Sequence, residues 1–103
     1  MIDDILMPNG KPIGVRGSAP RASPRVREVA GGMAEAETLF RKLTQGCRDV
    51  TPTSYPGTLF ELPDGRGTIG YRPASQSGPP TIDVEAFDAA GRLITIKKIK
   101  FIA

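Results

Sequence analysis

Polar residues in the last third of the chain have types and spacings suited to phosphate chemistry. Successive side chains of a β-strand point to opposite faces, so residues two apart share a face. Three strand-like segments, residues 68–72, 81–87 and 92–101, carry apolar residues at one parity and polar residues at the other. We therefore expect one sheet face to present a guanidinium, a hydroxyl, two carboxylates and two ammonium groups, from Arg72, Thr81, Asp83, Glu85, Lys98 and Lys100.

The loop that follows Arg72 adds further polar groups. Pro73 ends regular strand pairing, and Ser75, Ser77 and Gly78 come next. Serine hydroxyls and backbone N–H groups can bind an oxyanion, although serine and glycine also occur in ordinary loops. We include Ser75 and Ser77 among the candidate catalytic residues.

Each charged residue also has an ordinary structural explanation. Arg72 suits bidentate binding of phosphate, but it could equally pair with Asp83 or Glu85 on a neighbouring strand. Lysines such as Lys98 and Lys100 also protect exposed strands from aggregation. Only the clustering of these residues on one face favours a functional site.

RNA cleavage without a metal ion is the chemistry that this set fits. The ribose 2′-hydroxyl is an internal nucleophile, so a protein need only hold the phosphodiester in line, stabilise the added charge and move two protons. Arginine, lysine and hydroxyl groups suit the first two tasks, and Asp83, Glu85 or a lysine the third. No larger carboxylate cluster is visible in the sequence, so we expect neither a metal nor another cofactor.

Composition restricts the possible function classes. The chain has 103 residues, a formal net charge of +3, one cysteine and no histidine. Without histidine there is neither a Ser-His-Asp triad nor a His-ligated zinc site, and the single Cys47 cannot form an internal disulfide. No stretch is apolar enough for a membrane span or a signal-peptide core.

Basic residues concentrate near both ends of the chain. Arg27 belongs to the N-terminal cluster and Lys97 to the C-terminal one. If the two clusters meet in the folded protein, both residues would contact RNA. Tyr71 is predicted to add an aromatic contact to the RNA.

One helix is predicted to precede the strands. Residues 1–28 are interpreted as an irregular lead or linker, because prolines and a Pro8-Asn9-Gly10 turn signal disfavour a helix, with a short edge strand as an option. Residues 26–46 are predicted to be helical, with Gly46 as the C-terminal cap. This prediction depends on an apolar stripe at steps of 4, 3, 4 and 3, formed by Val29, Met33, Ala36, Phe40 and Leu43.

Four strands are predicted after the helix, over residues 58–62, 68–72, 81–87 and 92–101. Ile94 and Ile96 in the last strand differ in parity from Ile99 and Phe101. Either a β-bulge near Lys97 brings all four inward, or the first half of the strand is buried on both faces. The expected fold is a single α+β domain over residues 29–103, in which the helix packs on a four-stranded antiparallel meander.

Six short motifs of the chain look familiar, at residues 7–14, 26–36, 62–65, 71–75, 81–84 and 98–101. They resemble the C-terminal toxin domains of bacterial polymorphic toxins, such as contact-dependent inhibition and Rhs-type effectors. Within these, the chain is similar to ribonucleases of the barnase/EndoU/colicin/RelE-like fold. The resemblance implies an N-terminal helical part followed by a four-stranded antiparallel sheet.

The resemblance also implies functional residues and partners. The motif positions place the family's arginine at Arg72, its loop hydroxyl at Ser75 or Ser77, and its strand pair at Thr81 and Asp83. Its basic or histidine position falls on Lys98 or Lys100, where many relatives carry a histidine that this chain lacks. These positions imply an endoribonuclease that cuts RNA, with tRNA as one candidate, by 2′-OH transphosphorylation.

Such a domain would be secreted at the end of a larger effector protein and would act in the cytoplasm of a target bacterium. A cognate immunity protein, expected to be acidic, would protect the producing cell. The alternative from the residues is a non-catalytic β module that binds RNA or protein, which the lack of histidine and the modest net charge favour.

Overall fold

The computed structural model describes residues 2–73 and 78–103. Within these residues seven strands form one mixed sheet in the order β1-β2-β7-β6-β5-β4-β3. Neighbouring strands are antiparallel except for β2 and β7, which are parallel. The elements in chain order are α1 (Ile2–Leu6), β1 (Val15–Arg16), β2 (Val26–Ala30), α2 (Met33–Leu43), β3 (Arg48–Asp49), β4 (Thr58–Glu61), β5 (Gly67–Arg72), β6 (Thr81–Ala86) and β7 (Lys98–Ile102), with single 3-10 turns at Pro8–Gly10 and Pro63–Gly65.

The α+β class is confirmed, but the four-stranded antiparallel meander is wrong. Strands β4 to β7 match the four predicted strands in order, and three additional strands extend the sheet at both edges. On one side β2 pairs with β7 and carries β1, and on the other β3 pairs with β4. The added β1 and β3 have only two residues each, too few for strand periodicity to be visible in the sequence.

The predicted helix over residues 26–46 is shorter, because its first residues form β2 instead. Val26 and Val29 are β-branched and favour a strand, and β2 pairs with five residues of β7. Gly31, with a φ of 140°, follows the end of β2 and changes the direction of the backbone before the helix. The Glu35 carboxylate then accepts a hydrogen bond of 2.7 Å from the Gly32 N–H, and α2 begins at Met33.

Residues 2–30 are part of the folded domain rather than an irregular lead. Leu6 in α1 is fully buried in the core. The Asp3 carboxylate accepts hydrogen bonds of 2.8 Å from the backbone N–H of Ala89 and from Arg66 Nη2. These two bonds lower the pKa of Asp3, and the bond from Ala89 has the larger effect. They also connect α1 to two hairpin turns.

The last predicted strand contains one extra residue opposite β6. Phe87 pairs with Leu93 and Asp83 pairs with Lys98, so residues 94–97 stand opposite residues 84–86. This irregularity corrects the parity, since Ile94, Ile96, Ile99 and Phe101 are all buried. Regular pairing in β7 starts only at Lys98.

The hydrophobic core lies on one face of the sheet, beneath α2. Buried residues of α2 pack against alternate residues of the central strands, and α1 adds Ile2 and Leu6 to the same cluster. The Phe40 ring lies 5.5 Å from Phe60, edge to face, and 5.6 Å from Tyr71. The opposite face of the sheet is the one that carries the predicted polar residues. No helix in the described part of the chain is long and apolar enough to cross a membrane.

Candidate functional site

The register of the sheet places the predicted polar residues in two adjacent rows on the face opposite α2. Residues directly opposite each other on paired strands share a face. The first row contains Arg72 in β5, Thr81 in β6 and Lys100 in β7. The second row contains Asp83 in β6 and Lys98 in β7. Sequence parity therefore predicted the shared face of these five residues correctly.

Asp83 binds Arg72 with both carboxylate oxygens. Arg72 Nε donates to Oδ2 at 2.7 Å and Nη2 donates to Oδ1 at 2.9 Å. The Tyr55 hydroxyl donates to the same Oδ2 at 2.7 Å. Of the two interpretations left open from the sequence, the structure therefore contains the ion pair between neighbouring strands. We call these three residues the Arg72 clamp.

The Arg72 clamp fixes the protonation of its members. The bonds to Asp83 raise the pKa of Arg72, so its guanidinium stays charged. Burial, followed by the hydrogen bond to Asp83, raises the pKa of Tyr55, so the phenol stays protonated. Asp83 binds two of the five guanidinium N–H donors, and the other three have no hydrogen-bond partner among the described residues. The clamp holds Arg72 in place while leaving it able to bind an anion.

Tyr55 was not among the predicted site residues, although the sequence contains a signal for it. The Tyr55 ring lies across Gly70 in the middle of β5, and a Cβ at position 70 would overlap the hydroxyl. A glycine inside a strand often marks the close approach of another group. Gly70 is such a signal, but it does not say which residue approaches.

Beside the clamp is a cavity of about 220 Å³ whose charged lining is cationic. Lys98 and Lys100 are half-buried, and their ammonium groups form no ion pair or hydrogen bond with the described residues. Thr81 is buried, and its hydroxyl donates to the Pro79 carbonyl at 3.0 Å. The hydroxyl proton of Thr81 is therefore not available to a bound anion. The lining residues are Pro56, Arg72, Pro73, Gly78, Pro79, Thr81, Lys98 and Lys100.

Two of the predicted RNA contacts lie away from this cavity. Tyr71 faces α2 and is only 8 % exposed, and its hydroxyl has no hydrogen-bond partner among the described residues. Arg27 lies opposite Ile99, on the face of the core, and donates to the carbonyls of Ile13 and Gly14 at 3.0 and 2.9 Å. Neither side chain lines the cavity, and their predicted contacts with RNA stay predictions.

The remaining predicted residues are Lys97, Ser75 and Ser77. Lys97 is exposed in the irregular segment before β7, where its backbone N–H donates to the Arg25 carbonyl at 2.8 Å. Ser75 and Ser77 lie outside the described residues. Their predicted contribution to an oxyanion site stays a prediction.

Residues 2–73 and 78–103 contain no group of three or more His, Cys, Asp or Glu side chains arranged to hold a metal ion.

The sequence matches no family model, and comparison with curated proteins and with solved structures gives no match. The resemblance to ribonuclease toxin domains therefore rests on the short sequence motifs.

Proposed function

We propose that this domain is a metal-independent endoribonuclease toxin that cleaves RNA through the ribose 2′-hydroxyl. The observation that supports this proposal is the cavity in which Arg72, Lys98 and Lys100 meet, because two of its three cations are not neutralised by a described residue. Unpaired cations in a recess attract a phosphodiester and stabilise the charge that develops on it.

In the proposed reaction the 2′-oxygen attacks phosphorus and the bond to the 5′-oxygen breaks. The products are a 2′,3′-cyclic phosphate and a free 5′-hydroxyl, and one proton leaves the nucleophile while another reaches the leaving oxygen. The Asp83 carboxylate already accepts three hydrogen bonds, so we assign it the role of positioning Arg72. Glu85, which is exposed on the same face two residues from Asp83, is then the carboxylate that would accept the proton of the 2′-hydroxyl. Lys98 and Lys100 would stabilise the added charge, and one of their ammonium groups would protonate the leaving 5′-oxygen.

The biological setting of the proposal follows from the motif resemblance. The domain would be delivered as the C-terminal part of a larger secreted effector and would act on RNA, with tRNA as a candidate, in the cytoplasm of a target cell. The partner that protects the producer would be an acidic immunity protein. Such a protein would complement the cationic cavity and would block access to it.

Cleavage of total bacterial RNA in EDTA tests the proposal. Lys100→Met is the most informative variant, because Lys100 has no partner among the described residues whose charge would be left unpaired. Arg72→Lys keeps the charge but loses the bidentate contact. Lys42→Met on the exposed side of α2 is the matched control. We expect discrete fragments ending in cyclic phosphate from the wild type and the control, and a rate at least ~100-fold lower for Lys100→Met.

A non-catalytic RNA-binding module is the second candidate. The full occupation of Asp83 favours it, since this carboxylate is held by Arg72 and Tyr55 rather than poised as a base. RNA that binds to the wild type, binds less to Lys100→Met and stays intact over long incubation would support the module. Wild-type cleavage that is unchanged in Lys100→Met and Lys98→Met would contradict the proposed site.

A further inference from the structure

A second cavity adjoins the phosphate cavity and shares Lys100 with it. Its volume is about 310 Å³. It opens between β2 and the loop that precedes β2, on the same sheet face as the Arg72 clamp. The lining includes Gly17, Ser18, Ser23, Val26, Glu28 and Lys100.

Glu28 gives this cavity a free carboxylate. Glu28 lies directly opposite Lys100 in the parallel pair of β2 and β7, yet the two side chains form no ion pair within 4 Å. No hydrogen bond from the described residues reaches the Glu28 carboxylate. Gly17 makes room for it, because a Cβ at position 17 would lie 2.9 Å from Glu28 Oε2. A half-buried carboxylate without a partner among the described residues thus lies beside a cationic site.

We propose that Glu28 and this cavity bind the nucleobase next to the phosphate held by Lys100, with a preference for guanine. This inference rests on the proposed RNA function. Glu28, Lys100, Thr81 and Arg72 form one row across four strands, and adjacent strands lie about 4.8 Å apart. A phosphate at Lys100 therefore places the attached nucleoside beside Glu28 or beside the Arg72 clamp.

The preference for guanine follows from the chemistry of a carboxylate. An ionised carboxylate only accepts hydrogen bonds and can take two parallel donors at once. Guanine presents adjacent N–H donors, N1–H and N2–H, on its Watson–Crick edge. Adenine and cytosine present one amino group beside an acceptor, and uracil presents one N–H between two acceptors. Recognition of exposed base edges is the usual way in which proteins read single-stranded RNA.

Calorimetric titration with the four nucleoside 3′-monophosphates tests this inference without requiring cleavage. We expect the wild type to bind the guanosine nucleotide at least ~10-fold more tightly than the other three. In Glu28→Gln the four affinities should fall within ~2-fold of one another, because the amide replaces one acceptor by a donor. Gly17→Ala should also weaken the preference for guanine, because the added methyl group would displace the Glu28 carboxylate. Lys100→Met should lower the affinity for all four nucleotides by the same factor.

Asp64→Asn is the matched control for the lost negative charge. Asp64 is exposed in the turn between β4 and β5, and asparagine tolerates its positive φ of 61°. Equal wild-type affinities, a guanine preference that survives in Glu28→Gln, or no binding of any nucleotide would each overturn the inference. Intact RNA together with a Glu28-dependent guanine preference would instead count against the ribonuclease and support the base site.

Discussion

Asp83 organises the candidate site by satisfying two neighbours at once. It accepts two hydrogen bonds from Arg72 and one from Tyr55. Because the side chains of Arg72 and Asp83 are 34 % and 27 % exposed, solvent screens part of their attraction. The main effect of the clamp is therefore geometric, since it gives the guanidinium one orientation beside the cavity.

Replacing each tyrosine by phenylalanine compares a hydroxyl that forms a hydrogen bond with one that has no partner among the described residues. Tyr55→Phe removes the donor to the Asp83 carboxylate and should lower the free energy of unfolding by about 1–2 kcal/mol. Tyr71→Phe removes a buried hydroxyl without a hydrogen-bond partner in the described chain and should be neutral or stabilising. Urea unfolding of both variants measures the difference, and an equal loss in the two would contradict this account.

Strand β5 combines a core face with a face that must admit another aromatic ring. Ile69 and Tyr71 are buried beneath α2, while Gly70 faces the other way and carries Tyr55 across its backbone. The chain segment before β4 therefore reaches over the sheet to the clamp only because position 70 has no side chain.

Gly70→Ala should displace the Tyr55 ring and lower the free energy of unfolding by about 1–3 kcal/mol. The same substitution in a Tyr55→Ala background should cost less, because the group that it would overlap is gone. A double-mutant cycle by urea unfolding gives the coupling. Strictly additive effects would show that Tyr55 does not occupy this position.

The N-terminal segment and the C-terminal strand stabilise each other across the whole molecule. Leu6 is fully buried, β2 covers the edge of β7, and Asp3 bonds to the turns that follow β4 and β6. A domain that starts at residue 29, as expected from the sequence, would lack all three features. Its remaining strands would expose the β7 edge.

The segment 29–103 should therefore show no cooperative thermal unfolding by circular dichroism, whereas the full chain should. Leu6→Ala in the full chain should cost about 2–5 kcal/mol, because it leaves a cavity in the core. A segment 29–103 that melts as sharply as the full chain would contradict the assigned role of residues 2–28.

The positive charge of the cavity predicts how the affinity of the protein for RNA depends on salt concentration. The logarithm of the affinity for single-stranded RNA should fall with the logarithm of salt concentration with a slope of about −2, since three cations line the cavity. Lys100→Met should reduce the magnitude of the slope by about 0.7, while Lys42→Met should leave it unchanged. Fluorescence anisotropy at several salt concentrations measures these slopes. Equal slopes for Lys100→Met and the wild type would exclude Lys100 from the contact.

The sequence by itself determined the features that depend on local periodicity. Alternation placed Arg72, Thr81, Asp83, Lys98 and Lys100 on one face, and turn signals separated β4 to β7. These features depend on residues two or a few positions apart, so they are visible in the linear sequence.

Only the tertiary structure decided the features that depend on contacts between residues far apart in the sequence. The parallel pairing of β2 with β7 turned a predicted helical turn into a strand, because Val29 fits the apolar stripe of either element. Asp83 took Arg72 and Tyr55 as partners across 11 and 28 residues, and Glu28 came to lie beside Lys100. Such pairings depend on strand order and register, which no local pattern encodes.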